Sequence, residues 1–351
     1  MHFILDTGVK TTILTENFLK QFLGLTDLKP VRIRGLGEGD VIRAEMAQNT
    51  NMQIPGLVGK GINMIIMPEG LISYSGMFGK PVYGIIGYEI FGQFVVEINY
   101  QEKFVRLHDP FRYKPRKKDR QRTVPIELRK SKPYVTASMI DHQGAEIEAK
   151  WLIDTGASHA ISLFDPQLTP PSPSVNAFLG MGLSGHVYGK IGRAPSFKIG
   201  DHNFQNVIAG YPDSESLNLL PTEQDWYGNI GAEIISRFNI IFDYRNRIIY
   251  LRRNSQFRKK FDYNSTGLEI VSSGSRFELF SITYVAPESP AEKAGVQVND
   301  IILSLNGMPV NGLDINDMYS SLRKRSGGVV TLKIKRGNKT FKKRFKLEEE
   351  I

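Results

Sequence analysis

The sequence predicts a mainly β protein: two related β lobes in tandem, then a smaller β-sandwich or partial barrel with two short helices. The first observation is an internal repeat. Tyr83 to Leu107 reads YGIIGYEIFGQFVVEINYQEKFVRL and Tyr227 to Leu251 reads YGNIGAEIISRFNIIFDYRNRIIYL, with nine of 25 ungapped positions identical. The second lies upstream, where FILDTGVKTTIL from Phe3 is matched by WLIDTGASHAIS from Trp151, 148 residues later against 144 for the first pair. Order and spacing are both kept, so roughly the first 250 residues are a tandem duplication. The third is texture: both halves alternate apolar and polar residues, rich in β-branched and aromatic side chains and punctuated by glycine, and this changes at about Tyr263.

Each half reads in the same order. An apolar strand ends in Asp6-Thr7-Gly8 or Asp154-Thr155-Gly156. A glycine-rich strand and turn follows, RGLGEGDVIRA with Gly35, Gly37 and Gly39, or LGMGLSGHVYGKIGR with Gly180, Gly182 and Gly185. The repeated segment closes the half, with short helical turns expected over Glu89–Phe94 and Glu233–Phe238. A hairpin-like stretch, Pro133 to Lys150, precedes Asp154, whereas five residues precede Asp6. The first lobe is therefore expected to lack its opening hairpin, as a truncated start would leave it, and any leader would have gone with it. The expected divisions are lobe 1 over 1–110, a basic linker over 111–122, lobe 2 over 123–254, a linker over 255–262 and the last module over 263–347.

In that module Ser289-Pro290-Ala291-Glu292 is a capping box with proline at the first helical position, and Gly295 stops the helix. Asp300–Leu305 alternates as a strand, Asn306-Gly307 makes a tight turn, and Leu313–Arg323 has helical spacing. Strands Val329–Lys335 and Thr340–Leu347 follow, divided at Gly337-Asn338.

Composition excludes several classes. Apolar residues at 41% and charged residues at 23% are ordinary for a folded globular chain. The absence of cysteine removes disulfides, thiolate nucleophiles and Cys-bound zinc, and six scattered histidines give no metal spacing, so neither metal nor cofactor is expected. His159 is read as a surface or loop residue. The most apolar stretch, Val82 to Ile98, is interrupted by Glu89, Gln93 and glycines, so no transmembrane segment is expected. The net charge of +9 is concentrated between Arg112 and Lys132, where ten basic residues face Asp119 and Glu127. Without aromatic interleaving this reads as a solvated linker rather than a nucleic-acid patch.

One Asp-Thr-Gly is weak evidence, because the tripeptide occurs in ordinary turns. Two in equivalent places of a duplicated fold are brought face to face by an approximate two-fold axis, with Gly8 and Gly156 allowing close approach. Carboxylates that close share one proton. With these motifs the chain resembles the retropepsin-like (pepsin and retropepsin-type) aspartic peptidases, here as two tandem lobes. The resemblance rests on Asp6-Thr7-Gly8, Gly35–Gly39 and Ile85-Ile86-Gly87, then Asp154-Thr155-Gly156, Gly180–Gly189 and Asn229-Ile230-Gly231. It implies an endopeptidase acting on polypeptide, with Asp6 and Asp154 catalytic, Thr7 and Thr155 cross-bonding the active loops, and glycine-rich flaps. Val9, Lys10 and Asn229 depart from the family pattern, and Asn229 is expected to loosen the support behind Asp154.

Residues 263–347, through SPAEKAGVQVNDIILSLNG, resemble PDZ domains of the bacterial type attached to envelope proteases. The resemblance implies capture of peptide C-termini at Gly267, Leu268, Glu269 and Ile270, with the peptide adding as a strand to a sheet edge. It also implies an envelope, periplasmic or secreted location if a leader precedes the chain. The alternative to an active peptidase is an inactive peptide-binding scaffold that uses only the PDZ domain.

Overall fold

The structure, a computed structural model, describes residues 1–120, 122–165, 168–220, 225–323, 327–348 and 351. It is mainly β. Lobe 1 contains β1 (Phe3–Leu5), β2 (Thr12–Leu14), α1 (Leu19–Phe22), β3 (Leu28–Ile33), β4 (Ile42–Ile54), β5 (Leu57–Ile66), α2 (Ser75–Phe78) and β6 (Gly84–Ile86). Its sheet runs β1-β6-β2-β5-β4-β3. Then come α3 (Tyr88–Phe91), β7 (Val95–Asn99), β8 (Phe104–His108), α4 (Lys117–Arg120) and β9 (Thr123–Pro125). Lobe 2 contains β10 (Glu127–Arg129), β11 (Lys132–Ile140), β12 (Glu146–Ile153), β13 (Ile161–Leu163), β14 (Val175–Gly182), β15 (Gly185–Ile199), β16 (His202–Pro212), β17 (Gly228–Ile230), α5 (Ala232–Ile235), β18 (Phe238–Asp243) and β19 (Ile248–Arg253). Its sheet runs β10-β11-β12-β17-β13-β16-β15-β14.

The repeat becomes a symmetry axis where the lobes join. A sheet ordered β8-β7-β18-β19-β9 crosses between them, and the equivalent strands β7 and β18 pair antiparallel at its middle. The register is self-complementary: Val96 faces Phe242 and Ile98 faces Ile240, and the 144-residue repeat offset exchanges these pairs. Apolar residues of both strands, among them Val96, Ile98, Ile240 and Phe242, belong to the largest core, which continues through lobe 2. The basic linker is not simply solvated. Tyr113 packs on His108 and Tyr250, and buried Asp119 lies 3.5 Å from Arg252; Gln121 lies outside the described residues.

The C-terminal module contains β20 (Leu268–Ser273), β21 (Leu279–Val285), α6 (Pro290–Lys293), β22 (Ile301–Leu305), β23 (Met308–Pro309), α7 (Ile315–Leu322), β24 (Val329–Arg336) and β25 (Lys339–Lys346). Ser289 caps α6, its hydroxyl accepting from the Glu292 N–H at 3.3 Å. Asp314 and Asp317 form a reciprocal capping box on α7. The sheet runs β20-β21-β22-β24-β25, which leaves β20 at an edge. Lobe 1 packs on that strand: the Ser272 hydroxyl donates to the Gly76 carbonyl of α2 at 2.9 Å.

Candidate active site

Parallel pairing of β1 with β6, and of β12 with β17, carries each Asp-Thr-Gly out of its sheet at the same point. Asp6 N–H donates to Ile86 O and Asp154 N–H to Ile230 O, both at 2.9 Å. The two loops then lock reciprocally. Thr7 N–H donates to Thr155 Oγ1 and Thr155 N–H to Thr7 Oγ1, each at 3.0 Å. The Thr7 hydroxyl donates to Ile153 O at 2.6 Å, and the Thr155 hydroxyl to Leu5 O at 2.8 Å. Each threonine therefore spends its hydroxyl on the opposite lobe, which fixes the carboxyls beside it.

The carboxyls converge between Gly8 and Gly156. A side chain on Gly156 would collide with the Asp6 carboxyl, and a Cβ on Gly8 would lie 3.1 Å from Asp6 Oδ1 and 3.3 Å from Asp154 Oδ1. Asp6 and Asp154 are within hydrogen-bonding reach of each other. Burial, followed by the Asp154 charge, holds the Asp6 carboxyl well above the usual carboxylate range. Burial raises Asp154 as well, against lowering by its hydrogen bond with Asp6, by the Lys132 charge and by the N–H groups of Gly156 and Ala157. The cation acting on the pair is Lys132 of β11; Lys10 is exposed, and Val9 is buried in the lobe 1 core.

Asn229, the polar residue expected to loosen the support behind Asp154, is bonded to that carboxyl. Its Nδ2 donates to Asp154 Oδ2 at 2.6 Å. His159 is half-buried, and burial, then the Arg323 charge, pushes it down to about 4.

The glycine-rich segments meet each other. Gly39 N–H donates to Ser184 O at 2.7 Å, Ser184 N–H to Leu36 O at 3.1 Å, and Glu38 N–H to His186 O at 3.1 Å. Side chains at Gly39 or Gly182 would strike Ser184 O or Leu36 O, so these glycines are required where the tips cross. Gly35 N–H donates to Ser184 Oγ, and Gly37 sits against Gly185, while Gly180 borders the bulge in the β14–β15 hairpin. Ser184 and Ser216, which accepts from Gly37 N–H through its carbonyl, were not singled out from sequence; a serine inside a glycine-rich turn was the available signal for Ser184, and nothing local marks Ser216.

At the third module, Leu268 N–H donates to Thr266 Oγ1 at 3.2 Å and the Gly267 carbonyl accepts from Ala286 N–H at 2.7 Å. The Tyr319 hydroxyl, on α7, is 2.6 Å from Glu269 Oε2 and 3.2 Å from both the N and O of Ile270. Burial pushes Glu269 up to about 7. Gly267 and Glu269 border a cavity of about 250 Å³ shared with Lys293 and with Phe178 and Lys190 of the lobe 2 hairpin. Among the described residues no group of three or more His, Asp or Glu is placed to hold a metal, and no helix is long and apolar enough to cross a membrane.

Comparison with known proteins matches two segments of the chain. A family model for aspartyl protease matches residues 1–90, which include Asp6, and one for PDZ domain matches residues 281–336. The chain thus carries an aspartyl-protease-like domain at its N-terminus and a PDZ domain near its C-terminus. A probable CtpA-like serine protease of Staphylococcus saprophyticus is 34% identical over 76 residues, covering 22% of this chain and 15% of that protein. The carboxy-terminal processing protease CtpB of Bacillus subtilis is 36% identical over 86 residues, 24% of this chain and 18% of that one. Both matches span less than a fifth of the relatives' length. Among solved structures, the HtrA3 PDZ domain bound to a phage-derived ligand (FGRWV) aligns at 24% identity over 23% of this chain and 82% of that chain, with a TM-score of 0.21.

Proposed function

We propose that the protein is an aspartic-type endopeptidase whose PDZ domain binds the C-termini of polypeptides. The observation that carries this reading is the pair of threonine-locked loops that presents one carboxyl from each lobe to a common site. A pair holding one proton has both functions needed for hydrolysis: an ionised carboxylate takes a proton from water, and the protonated carboxyl polarises the scissile carbonyl. The water oxygen bonds to the carbonyl carbon, and the C–N bond breaks once the amine receives a proton. No covalent intermediate with the protein is required. The crossed flap tips must part to admit an extended peptide and then exclude water around it.

The serine-protease names belong to relatives matched over 76 and 86 residues, the length of the C-terminal module and less than either lobe. They lend the aspartic type no support, and the PDZ domain rests on its own family match over residues 281–336. In the C-terminal module, Gly267 opens on the cavity with Lys190 and Lys293, two cations suited to a peptide carboxylate. An incoming strand must take Ile270 from the Tyr319 hydroxyl.

The test is cleavage of a peptide library by the full chain from acidic to neutral pH, beside Asp154→Asn. Cleavage by the parent and none by the variant supports the peptidase. Peptide binding without cleavage by the parent supports the scaffold instead, and cleavage that survives in the variant places the chemistry elsewhere.

A further inference from the structure

Duplication makes the surroundings of the two carboxyls comparable position by position, and one pair breaks the symmetry. Ile85 and Asn229 are equivalent, each at the centre of its short strand, β6 or β17. Ile85 is buried in the lobe 1 core with Val9, Ile13 and Tyr74, and offers Asp6 no donor. Asn229 is buried too, yet gives its amide N–H to Asp154 Oδ2 at 2.6 Å, while its own Oδ1 is buried with no hydrogen-bond partner. A half-satisfied buried amide costs stability that an isoleucine does not. What it gains is a donor aimed at one carboxylate, and a donor of this kind favours the ionised form over the protonated one.

We propose that Asn229 is a positioning residue that fixes where the shared proton sits: Asp154 stays ionised and Asp6 carries the proton. The catalytic consequence rests on the peptidase reading above. Asp154 removes a proton from the attacking water as the O–C bond forms, and Asp6 gives its proton to the carbonyl oxygen. On collapse Asp154 passes its proton to the leaving nitrogen, the C–N bond breaks, and Asp6 recovers a proton from the tetrahedral hydroxyl.

The other groups facing the pair do not reverse this assignment. Lys132 acts on both carboxyls. Tyr74 and Tyr244 face Asp6 and Tyr134 faces Asp154, and burial raises all three hydroxyls, which keeps them neutral. Backbone donors favour the same partner: Asp154 Oδ1 accepts from Gly156 N–H at 3.0 Å and Ala157 N–H at 3.2 Å, whereas Asp6 Oδ1 accepts from Gly8 N–H at 2.6 Å.

The test exchanges the two positions in the full chain. Asn229→Ile should raise the lower of the two titration steps of the dyad, read by NMR of ¹³C-carboxyl-labelled aspartate. The acidic limb of kcat/KM should move to higher pH, with about a tenfold loss on that limb and little change at the optimum, since a hydrogen bond to a charged group is of that order. Adding Ile85→Asn to it should bring the acidic limb back, with the proton now on Asp154. Melting temperature checks folding, and Asn229→Ile should melt no lower than the parent because it removes the unpaired Oδ1. An unchanged lower step in Asn229→Ile, or no recovery in the exchanged double variant, overturns the proposal. Cleavage that is absent in the parent or survives Asp154→Asn overturns the peptidase reading instead, and the NMR titration still decides where the proton sits.

Discussion

Lobe 2 has the more continuous core of the two halves. Its strand β12 is flanked by β11 and β17, whereas the equivalent β1 lies at a sheet edge and pairs only with β6. Lobe 2 shares one continuous core with the sheet between the lobes, while lobe 1 is divided into two small clusters and leaves Phe18, Phe22 and Leu23 exposed around α1. At the axis the two halves are nearly the same: the threonine bonds are reciprocal and the β7–β18 register maps onto itself. The contrast shows that geometry is held where the carboxyls meet, while the cores of the two lobes and the residues behind each carboxyl differ.

Equivalent substitutions test that contrast. The largest difference is expected between Trp151→Ala and Phe3→Ala, positions matched by the 148-residue offset. Trp151 is fully buried, packs edge-on against Phe197 and Tyr227, and donates its indole N–H to Ala137 O. Its loss should cost about 3–5 kcal/mol. Half-buried Phe3 should cost about 1–2 kcal/mol. Denaturant midpoints measure both, and equal losses would break the comparison.

Thr7→Val and Thr155→Val should be alike. Each leaves an N–H and a carbonyl of the opposite lobe unpaired, at about 1–3 kcal/mol, with a matching fall in cleavage rate. A large inequality would mean that the axis is less symmetric than its bonds.

The pH response separates lobe 2 from the PDZ domain. Glu269 is raised from 4.5 to about 7, so its contribution to stability is complete below 4.5 and is lost as pH rises through 7. His159 is lowered from 6.5 to about 4, so its contribution is complete above 6.5 and is lost as pH falls through 4. Denaturant midpoints should therefore fall less between pH 4.5 and 7 in Glu269→Gln than in the parent. The smallest effect is expected for Tyr319→Phe, which frees the backbone of Ile270 and should tighten binding of a C-terminal peptide a few-fold, measured by fluorescence polarisation.

Much of this was legible in the sequence, because duplication encodes its own alignment. The repeat predicted the paired β lobes, and the capping box with its following glycine predicted α6. What escaped depends on contacts between distant segments. The glycines at 39 and 182 promised hairpins, but that their tips cross depends on how the lobes face. Nothing local in Tyr74–Gly79 indicates that it packs on β20. The charge run around Arg116 concealed an aromatic, Tyr113, and gave no sign that Asp119 is buried against Arg252, the two contacts that tie the linker to β19. Asn229 read as a defect because its identity is visible in sequence and the direction of its amide is not.

The account is tested most directly by a crystal structure of the full chain with a peptide mimic carrying one tetrahedral hydroxyl in place of the scissile carbonyl. It predicts that this hydroxyl lies within hydrogen-bonding distance of both Asp6 and Asp154, beneath the crossed flaps. A mimic bound away from the carboxyls, or carboxyls too far apart to share one oxygen, would contradict it.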